Sequence, residues 1–294
     1  MSRMTSASDA TDRSQRLAIV ALVAAAGLWS LNGPLIKVMG ATGTPAVSIA
    51  FYRSLLGGLV FLPMALRERR TLRDVPLRLP IACVLAFTLM TVCFVIATAQ
   101  TAAANAIILQ YTSPVWVFLL SPLLLREPAG RGETVMLALA MVGVGIIFFG
   151  SAATDLLGLS VALLSGLGYG ALTVLFRGLA RVDAGASVAI NMLGSALLLA
   201  PAVAIWGTFA LDGRQLGLAL LLGVVQFSFP YLLFAWALKR IAAQRASLIV
   251  LLETVLNPLW TWLIVGERVP AATLLGGPLI LASAVVWIVG RRRH

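Results

Sequence analysis

Charged and metal-binding side chains are scarce in this sequence. Its 294 residues include 11 Asp and Glu, 2 Cys and 1 His, and the histidine is the last residue. With no histidine inside the chain, a His-based metal centre and a Ser-His-Asp triad are both excluded. Cys83 and Cys93 lie in one apolar segment, where a helix would separate them by about 15 Å, too far for a disulfide. We therefore expect no metal, no cofactor and no enzymatic activity.

A nucleotide-binding loop is also missing. Gly166, Gly168 and Gly170 form a glycine cluster, but the Lys-Ser/Thr pair that a phosphate-binding loop requires does not follow it. The cluster lies inside an apolar run, where the Gly-x-x-x-Gly spacing is typical of close helix packing. ATP hydrolysis is therefore not expected to drive any activity of this chain, and transport, if it occurs, would be driven by gradients.

Apolar residues, in contrast, are abundant. They make up 60% of the chain and charged residues 11%, whereas a soluble protein carries about 25% charged residues. This composition predicts an all-α integral membrane protein, because a backbone inside the bilayer must satisfy its own hydrogen bonds. A membrane β-barrel would show alternating segments of about ten residues instead. We predict ten transmembrane helices, at residues 17–38, 45–66, 79–99, 104–125, 133–150, 157–177, 186–206, 215–237, 246–265 and 270–290.

The basic residues set the expected orientation. The chain has 22 Lys and Arg and a formal net charge of +11. If the N-terminus is cytoplasmic, Lys37, Arg214 and Arg268 alone fall in loops on the other side, and Arg53 falls inside a span. Both termini are therefore expected in the cytoplasm. The positive charge is explained by topology, so nucleic acid is not an expected partner.

One sequence pattern occurs twice, at an offset of 140 residues. Residues 101–127 read TAAANAIILQYTSPVWVFLLSPLLLRE, and residues 241–267 read IAAQRASLIVLLETVLNPLWTWLIVGE. The same offset aligns Trp29 with Tyr169. Each copy begins with small and polar residues, runs apolar for the width of a membrane and closes on a glutamate.

The repeat divides the chain into two five-helix units. We predict a disordered cytoplasmic tail at residues 1–16, a first repeat at 17–150, a second at 156–290 and a basic cytoplasmic C-terminus at 291–294. Five spans is an odd number, so the second repeat enters the membrane from the opposite side. Such an inverted-topology repeat is typical of secondary transporters and predicts a central cavity between the halves near mid-membrane.

Short motifs add a family resemblance. They are Gly27-Leu28-Trp29-Ser30, Phe51-Tyr52-Arg53, Ser113-Pro114, Arg126-Glu127 and Gly266-Glu267. With these motifs, the ten spans and the repeat, the chain resembles the drug/metabolite transporter superfamily. Within it, the chain resembles the EamA family of bacterial metabolite exporters, which includes aromatic amino-acid exporters.

The resemblance implies an exporter of small metabolites at the bacterial inner membrane, and we expect the lipid-embedded protein to work as a monomer. It also implies a basket of helices around a central cavity, with spans three, four, eight and nine inside and spans one and six as gates. The sequence departs from the family pattern in span nine. Pro114 stands thirteen residues before Glu127, but the equivalent position before Glu267 is Thr254, and the proline is Pro258. We therefore expect the helix break in span nine to lie one turn deeper than the family pattern would place it.

Polar groups inside the spans are the candidate substrate ligands, because burying them in a bilayer is costly. Two are charged, Arg53 and Glu253. Arg53 fits either an ion pair with Glu253 or an anchor to backbone carbonyls. Glu253 fits a substrate or proton site, or a carboxylate near the cytoplasmic mouth partnered by Arg240 or Arg245. The predicted substrate-binding residues are Trp29, Asn32, Gln110, Tyr111, Tyr169, Gln226, Tyr231, Glu253 and Asn257.

The remaining candidate residues are neutral, or lie at the ends of the spans. The uncharged members of the substrate set fit hydrogen bonding to an amino acid or bonding between helices. Trp29 and Tyr169, related by the repeat, form a gate or cavity wall, or pack ordinarily. Glu127 and Glu267 are expected to accept backbone N–H groups at the start of the next helix, which is a structural role.

The function predicted first is export of amino acids, aromatic or otherwise apolar, or of related small metabolites by alternating access. Carriers of nucleotide sugars, phosphorylated metabolites or drugs within the same superfamily are the alternative, together with a passive channel-like facilitator. A phosphate substrate calls for several cationic side chains, and Arg53 alone supplies too little positive charge. A channel calls for a continuous polar lining, whereas the polar residues here are sparse.

Overall fold

The structure is a computed structural model, and its regular elements are helices throughout the residues it describes. It describes residues 2–68, 71, 74–113, 115–117, 119–120, 131–150, 155–179, 182–238, 240 and 249–290. The helices are α1 Ser2–Trp29, α2 Asn32–Ala41, α3 Ala46–Arg67, α4 Arg78–Gln100, α5 Ala103–Gln110, α6 Arg131–Gly150, α7 Leu156–Leu175, α8 Ala184–Trp206, α9 Gly213–Leu220, α10 Phe229–Leu238, α11 Leu252–Val265 and α12 Ala271–Gly290.

Two segments are wound differently. A 3-10 turn, Phe176–Leu179, follows α7, and a π-helical segment, Leu221–Ser228, joins α9 to α10. Pro230 explains the second, because it has no N–H with which to bond the carbonyl of Gln226. The Ser228 hydroxyl donates to the Gly223 carbonyl at 2.8 Å, which satisfies one oxygen in the altered winding.

The first helix differs from the sequence prediction. It begins at Ser2, so it includes most of the tail that we expected to be disordered. No Pro or Gly occurs in residues 2–16, so nothing in the local sequence interrupts the helix that continues into the first span.

Several helices match the dimensions of a bilayer. Within the described residues, six stretches of at least 18 residues are long and apolar enough to cross it: Ser14–Ala41, Ala46–Arg67, Arg78–Gln100, Leu156–Leu175, Ala184–Trp206 and Gly213–Phe234. Two shorter apolar helices, Ala138–Gly150 and Ala271–Ser283, accompany them. The predicted spans four and nine extend into residues outside the described ranges, so the count of ten stays a prediction.

Burial is distributed as a membrane protein requires. Large apolar side chains such as Val20, Leu197 and Phe149 are exposed, the last to 95%. Polar side chains such as Asn105 and Ser165 are fully buried. Extended apolar surface of this kind needs a nonpolar environment around it, which the hydrocarbon of a bilayer supplies.

Helices α3 and α8, which occupy equivalent positions in the two repeats, pack closely and run antiparallel. Near the start of α3, the Ser48 hydroxyl donates to the carbonyl of Thr208, just beyond the end of α8, at 3.0 Å. Further along α3, a Cβ added to Gly58 would lie 2.7 Å from the Cγ of Leu193. Residues later in α3 thus contact residues earlier in α8, which shows that the two helices run in opposite directions.

Helices α6 and α12 form a second pair of this kind. Their limits, Arg131–Gly150 and Ala271–Gly290, differ by the repeat offset at both ends. A Cβ on Gly143 would lie 2.6 Å from the Gly276 carbonyl oxygen, and one on Gly150 would lie 2.6 Å from the Ala272 Cβ. These helices therefore also run antiparallel, with their backbones in direct contact.

The contact at Gly143 gives a prediction with a control two residues away. Gly143→Ala places a methyl group against backbone and should destabilise the protein by about 1–3 kcal/mol. No atom lies within 4 Å of the Cβ position at Gly145, so Gly145→Ala should leave stability unchanged or raise it by up to about 1 kcal/mol through helix propensity. Thermal unfolding in detergent measures both. Equal midpoints for the two variants would contradict the close approach of α6 and α12.

Candidate functional site

Three helix interruptions meet at one buried carboxylate. Span one breaks at Ser30 and Leu31, and Asn32 is the first residue of α2. Tyr111 follows the end of α5, and Glu253 is the second residue of α11. Each functional side chain therefore sits at a helix end, where backbone groups lack intrahelical partners and polar side chains are favoured.

The breaks in spans four and nine are equivalent. The chain turns at Tyr111 after α5, and it turns at Leu251 before α11, which is the same position in the second repeat. The expectation of a deeper break at Pro258 is wrong, because α11 continues through that proline. A proline inside a membrane helix removes one hydrogen bond, and neighbouring groups compensate. Pro114, its expected counterpart, lies outside the described residues.

Glu253 accepts two hydrogen bonds. Asn32 Nδ2 donates to its Oε1 at 3.1 Å, and the Tyr111 hydroxyl donates to its Oε2 at 3.1 Å. Asn257, one turn further along α11, donates to the Oδ1 of Asn32. The carboxylate is only 8% exposed, so these neutral donors supply part of the solvation that water would otherwise give.

A cavity of about 340 Å³ opens beside this carboxylate. Its walls come from both repeats, and many lining residues occupy positions related by the repeat offset. These equivalent pairs are Trp29 and Tyr169, Asn32 and Leu172, Thr91 and Tyr231, Phe94 and Phe234, Gln110 and Val250, Tyr111 and Leu251, and Ser113 and Glu253. The cavity thus lies at the junction of the repeats, but the two halves present different chemistry to it.

All predicted substrate residues except Gln226 and Asn257 line this cavity. Those two are buried in its wall. Gln226 Nε2 donates to the Trp29 carbonyl at 2.9 Å, and Asn257 bonds Asn32. Gln110, which does line the cavity, also donates to the Ser165 hydroxyl at 2.7 Å. The structure therefore places Gln226 and Asn257 behind the lining, where they position other residues.

Aromatic rings form much of the remaining wall. Trp29 packs against Tyr231 and Phe234, with ring centroids 5.0 and 5.6 Å apart. Phe227 contacts Tyr231 at 5.7 Å. Together with Tyr169 they give an apolar surface with a few phenol and indole polar atoms, which suits a ligand that has a large apolar part.

Arg53 is the charged lining residue that the predicted substrate set left out. Its Cζ atom lies 3.8 Å from the ring centroid of Phe227 and 5.9 Å from that of Phe94. Within the described residues it makes no ion pair with Glu253 or any other carboxylate. The sequence marked Arg53 as a charge inside a span, but both interpretations at that stage gave it a partner within the protein.

Glu267 has the structural role expected, on a different helix. It accepts the backbone N–H of Ala103, the first residue of α5, at 2.7 Å, rather than one from the following helix α12. Lys37 pairs with it at 2.6 Å and also donates to the Thr101 carbonyl at 2.8 Å. Glu127 and Arg126 lie outside the described residues. The Glu267 carboxylate thus joins α2 and the start of α5, away from the cavity.

Comparison with known proteins identifies the family to which the chain is similar. The model of the EamA-like transporter family matches residues 16–149 and again residues 156–289. An uncharacterized transporter of Archaeoglobus fulgidus is 30% identical over 251 residues, which cover 83% of this chain and 87% of the relative. The pseudopaline exporter CntI of Pseudomonas aeruginosa is 30% identical over 288 residues, covering 91% of this chain and 94% of the relative.

The fold is also known from experiment. A solved crystal structure superposes with a TM-score of 0.63 at 19% identity, and the match covers 97% of this chain and 98% of the other. The resemblance proposed from the sequence motifs is confirmed by the two family matches, which lie one in each repeat. This chain belongs to the EamA-like transporter family.

Proposed function

We propose that this membrane protein is a secondary transporter that exports amino acids with aromatic or other apolar side chains across the inner membrane. The cavity carries the proposal, because it combines a carboxylate and a guanidinium with an aromatic wall at the junction of the repeats. At about 340 Å³ it lies at the small end of the range for small-molecule sites, about 300–1,000 Å³. An amino acid of moderate size matches all three properties.

The rival substrate classes fit less well. A phosphorylated metabolite needs several cations, but Arg53 is the cationic residue among the described cavity-lining residues, and Glu253 faces the same space. A related small metabolite remains the second candidate. The relative named as a pseudopaline exporter supports it, since that name assigns metabolite export to a protein of this family.

The proposed architecture is ten spans in a five-plus-five inverted repeat, with both termini in the cytoplasm and the monomer as the working unit. The antiparallel packing of α3 with α8 and of α6 with α12 supports it, because equivalent helices of an inverted repeat run in opposite directions. Rocking of one repeat against the other would then open the cavity to each face in turn.

Counterflow tests the function directly. Purified protein in liposomes preloaded with unlabelled L-phenylalanine should accumulate external labelled L-phenylalanine transiently, because a carrier exchanges bound substrate across the membrane. A channel would equilibrate the label without this overshoot. A panel of apolar amino acids sets the specificity. If no member of the panel shows counterflow or binding, amino-acid transport is wrong.

Glu253 is predicted to be needed for substrate binding. Glu253→Gln keeps the size of the side chain but removes the charge, and we expect about 10- to 100-fold weaker amino-acid binding, the range for a lost hydrogen bond to a charged group. Asp74→Asn removes a carboxylate that is exposed outside the spans and serves as the control. Equal binding by both variants would remove Glu253 from the site.

Cysteine labelling tests the orientation. In a chain with Cys83 and Cys93 replaced by alanine, a membrane-impermeant maleimide added to intact cells should label Arg214→Cys. It should not label Asp74→Cys, because the loop before α4 is predicted to be cytoplasmic. Both positions are exposed, so access differs only through the side of the membrane. The reverse pattern would place the termini outside.

A further inference from the structure

We propose that Arg53 binds the carboxylate of the substrate, so that the cavity selects zwitterions whose ammonium group faces Glu253. This inference rests on the proposed transport of amino acids and assigns the two charged ends of the substrate to opposite repeats. Arg53 belongs to α3 in the first repeat, and Glu253 belongs to α11 in the second.

The surroundings of Arg53 leave it short of acceptors. The residue is 6% exposed, and its Nε and Nη1 atoms are buried without any hydrogen-bond partner. A guanidinium carries five N–H donors in one plane and has no neutral form in ordinary conditions. Buried donors without partners are rare in folded proteins and need an explanation. An anionic ligand in the cavity that Arg53 lines provides one.

An aromatic ring lies against the guanidinium. The ring centroid of Phe227 is 3.8 Å from the Cζ atom of Arg53, which is a cation–π contact. The N–H bonds of a guanidinium lie in its plane, where a carboxylate can accept two parallel hydrogen bonds. The contact with Phe227 therefore leaves the hydrogen-bonding capacity of Arg53 unused.

An anchoring role does not account for these atoms. If Arg53 held neighbouring helices together through backbone carbonyls, its donors would be paired with those carbonyls, but Nε and Nη1 are not. Thr91, on the same face of α4 as Phe94, also lines the cavity with an unpartnered hydroxyl. This side of the cavity thus offers several hydrogen-bond donors and no fixed anion among the described residues.

Glu253, on the second repeat, suits a cation. Glu253 accepts one hydrogen bond on each carboxylate oxygen, from Asn32 and Tyr111. Two carboxylate oxygens offer about four acceptor sites, so sites remain for an ammonium group. Arg53 and Glu253 are the charged residues among the lining residues described. A zwitterion pairs with both and leaves no uncompensated charge in a low-dielectric site, whereas an amine or an acid alone leaves one.

The first test uses the unaltered protein. Counterflow of labelled L-phenylalanine is competed with unlabelled L-phenylalanine, with phenethylamine, which lacks the carboxylate, and with 3-phenylpropionate, which lacks the amine. We expect each analogue with one charge to compete roughly 10- to 100-fold more weakly, as the loss of a charged hydrogen bond implies. If phenethylamine competes as well as L-phenylalanine, Arg53 does not bind the carboxylate and the inference fails, while amino-acid transport stands. If L-phenylalanine and the other apolar amino acids are not transported at all, the proposed function fails with it.

The second test changes the arginine. Arg53→Gln should weaken L-phenylalanine roughly 10- to 100-fold and leave competition by phenethylamine unchanged, which abolishes the preference for the carboxylate. Arg53→Lys keeps the charge but not the planar fork, so it should retain part of the preference. Arg214→Gln removes an exposed arginine outside the cavity and serves as the control. A variant that weakens both ligands equally would indicate a structural role and overturn the inference. The competition series on the unaltered protein decides the question even if Arg53→Gln does not fold.

Discussion

The burial of one carboxylate constrains the centre of this molecule. Glu253 is almost fully enclosed, so donors must reach it from inside the protein. An uninterrupted helix uses its backbone donors internally, and the donors found here are side chains placed where helices stop: Asn32 after the break in span one and Tyr111 after α5. The residues at these breaks, Asn32, Tyr111 and Glu253, also line the cavity. The polar site and the cavity therefore lie at the same helix ends.

The two repeats supply the same positions with different side chains. Ser113 is the equivalent of Glu253, and both line the cavity. Phe87 and Phe227, also equivalent, contact each other with ring centroids 6.1 Å apart, as residues near a local two-fold axis should. Equivalent positions thus meet in the structure, while the two repeats bring different chemistry to the cavity. A ligand with two unlike ends fits such a cavity in one orientation, and this matches the asymmetry that the sequence showed between its two copies.

Much of this arrangement could be predicted from the sequence, because strong physical costs leave clear patterns. Apolar runs gave the helices, the repeat offset gave the equivalent elements, and the rarity of charge inside the spans pointed to Glu253 and Arg53. The errors arose where a local rule competed with packing. Pro258 suggested a helix break at the proline, but the structure places the break at Leu251. Leu251 is equivalent to Tyr111 in the first repeat, so the turn follows the repeat and not the proline. The sequence could not predict the direction in which the Gln226 side chain points. Gln226 lies in the π-helical segment before α10, and this winding, induced by the proline, rotates the face of the helix.

The position of the two charges also bears on how transport would work. On the proposed binding mode, a zwitterion joins Arg53 of the first repeat to Glu253 of the second. Without it, neither charge pairs with an opposite charge among the described residues. A bound substrate would therefore stabilise arrangements in which the repeats lie close together. In an inverted repeat the close arrangement can open toward either face, because equivalent helices line both exits. A ligand with only one charge would neutralise one repeat and leave the other charge buried alone, so it would not lower the free energy of the closed arrangement. Selection of the substrate and movement of the halves then depend on the same two side chains.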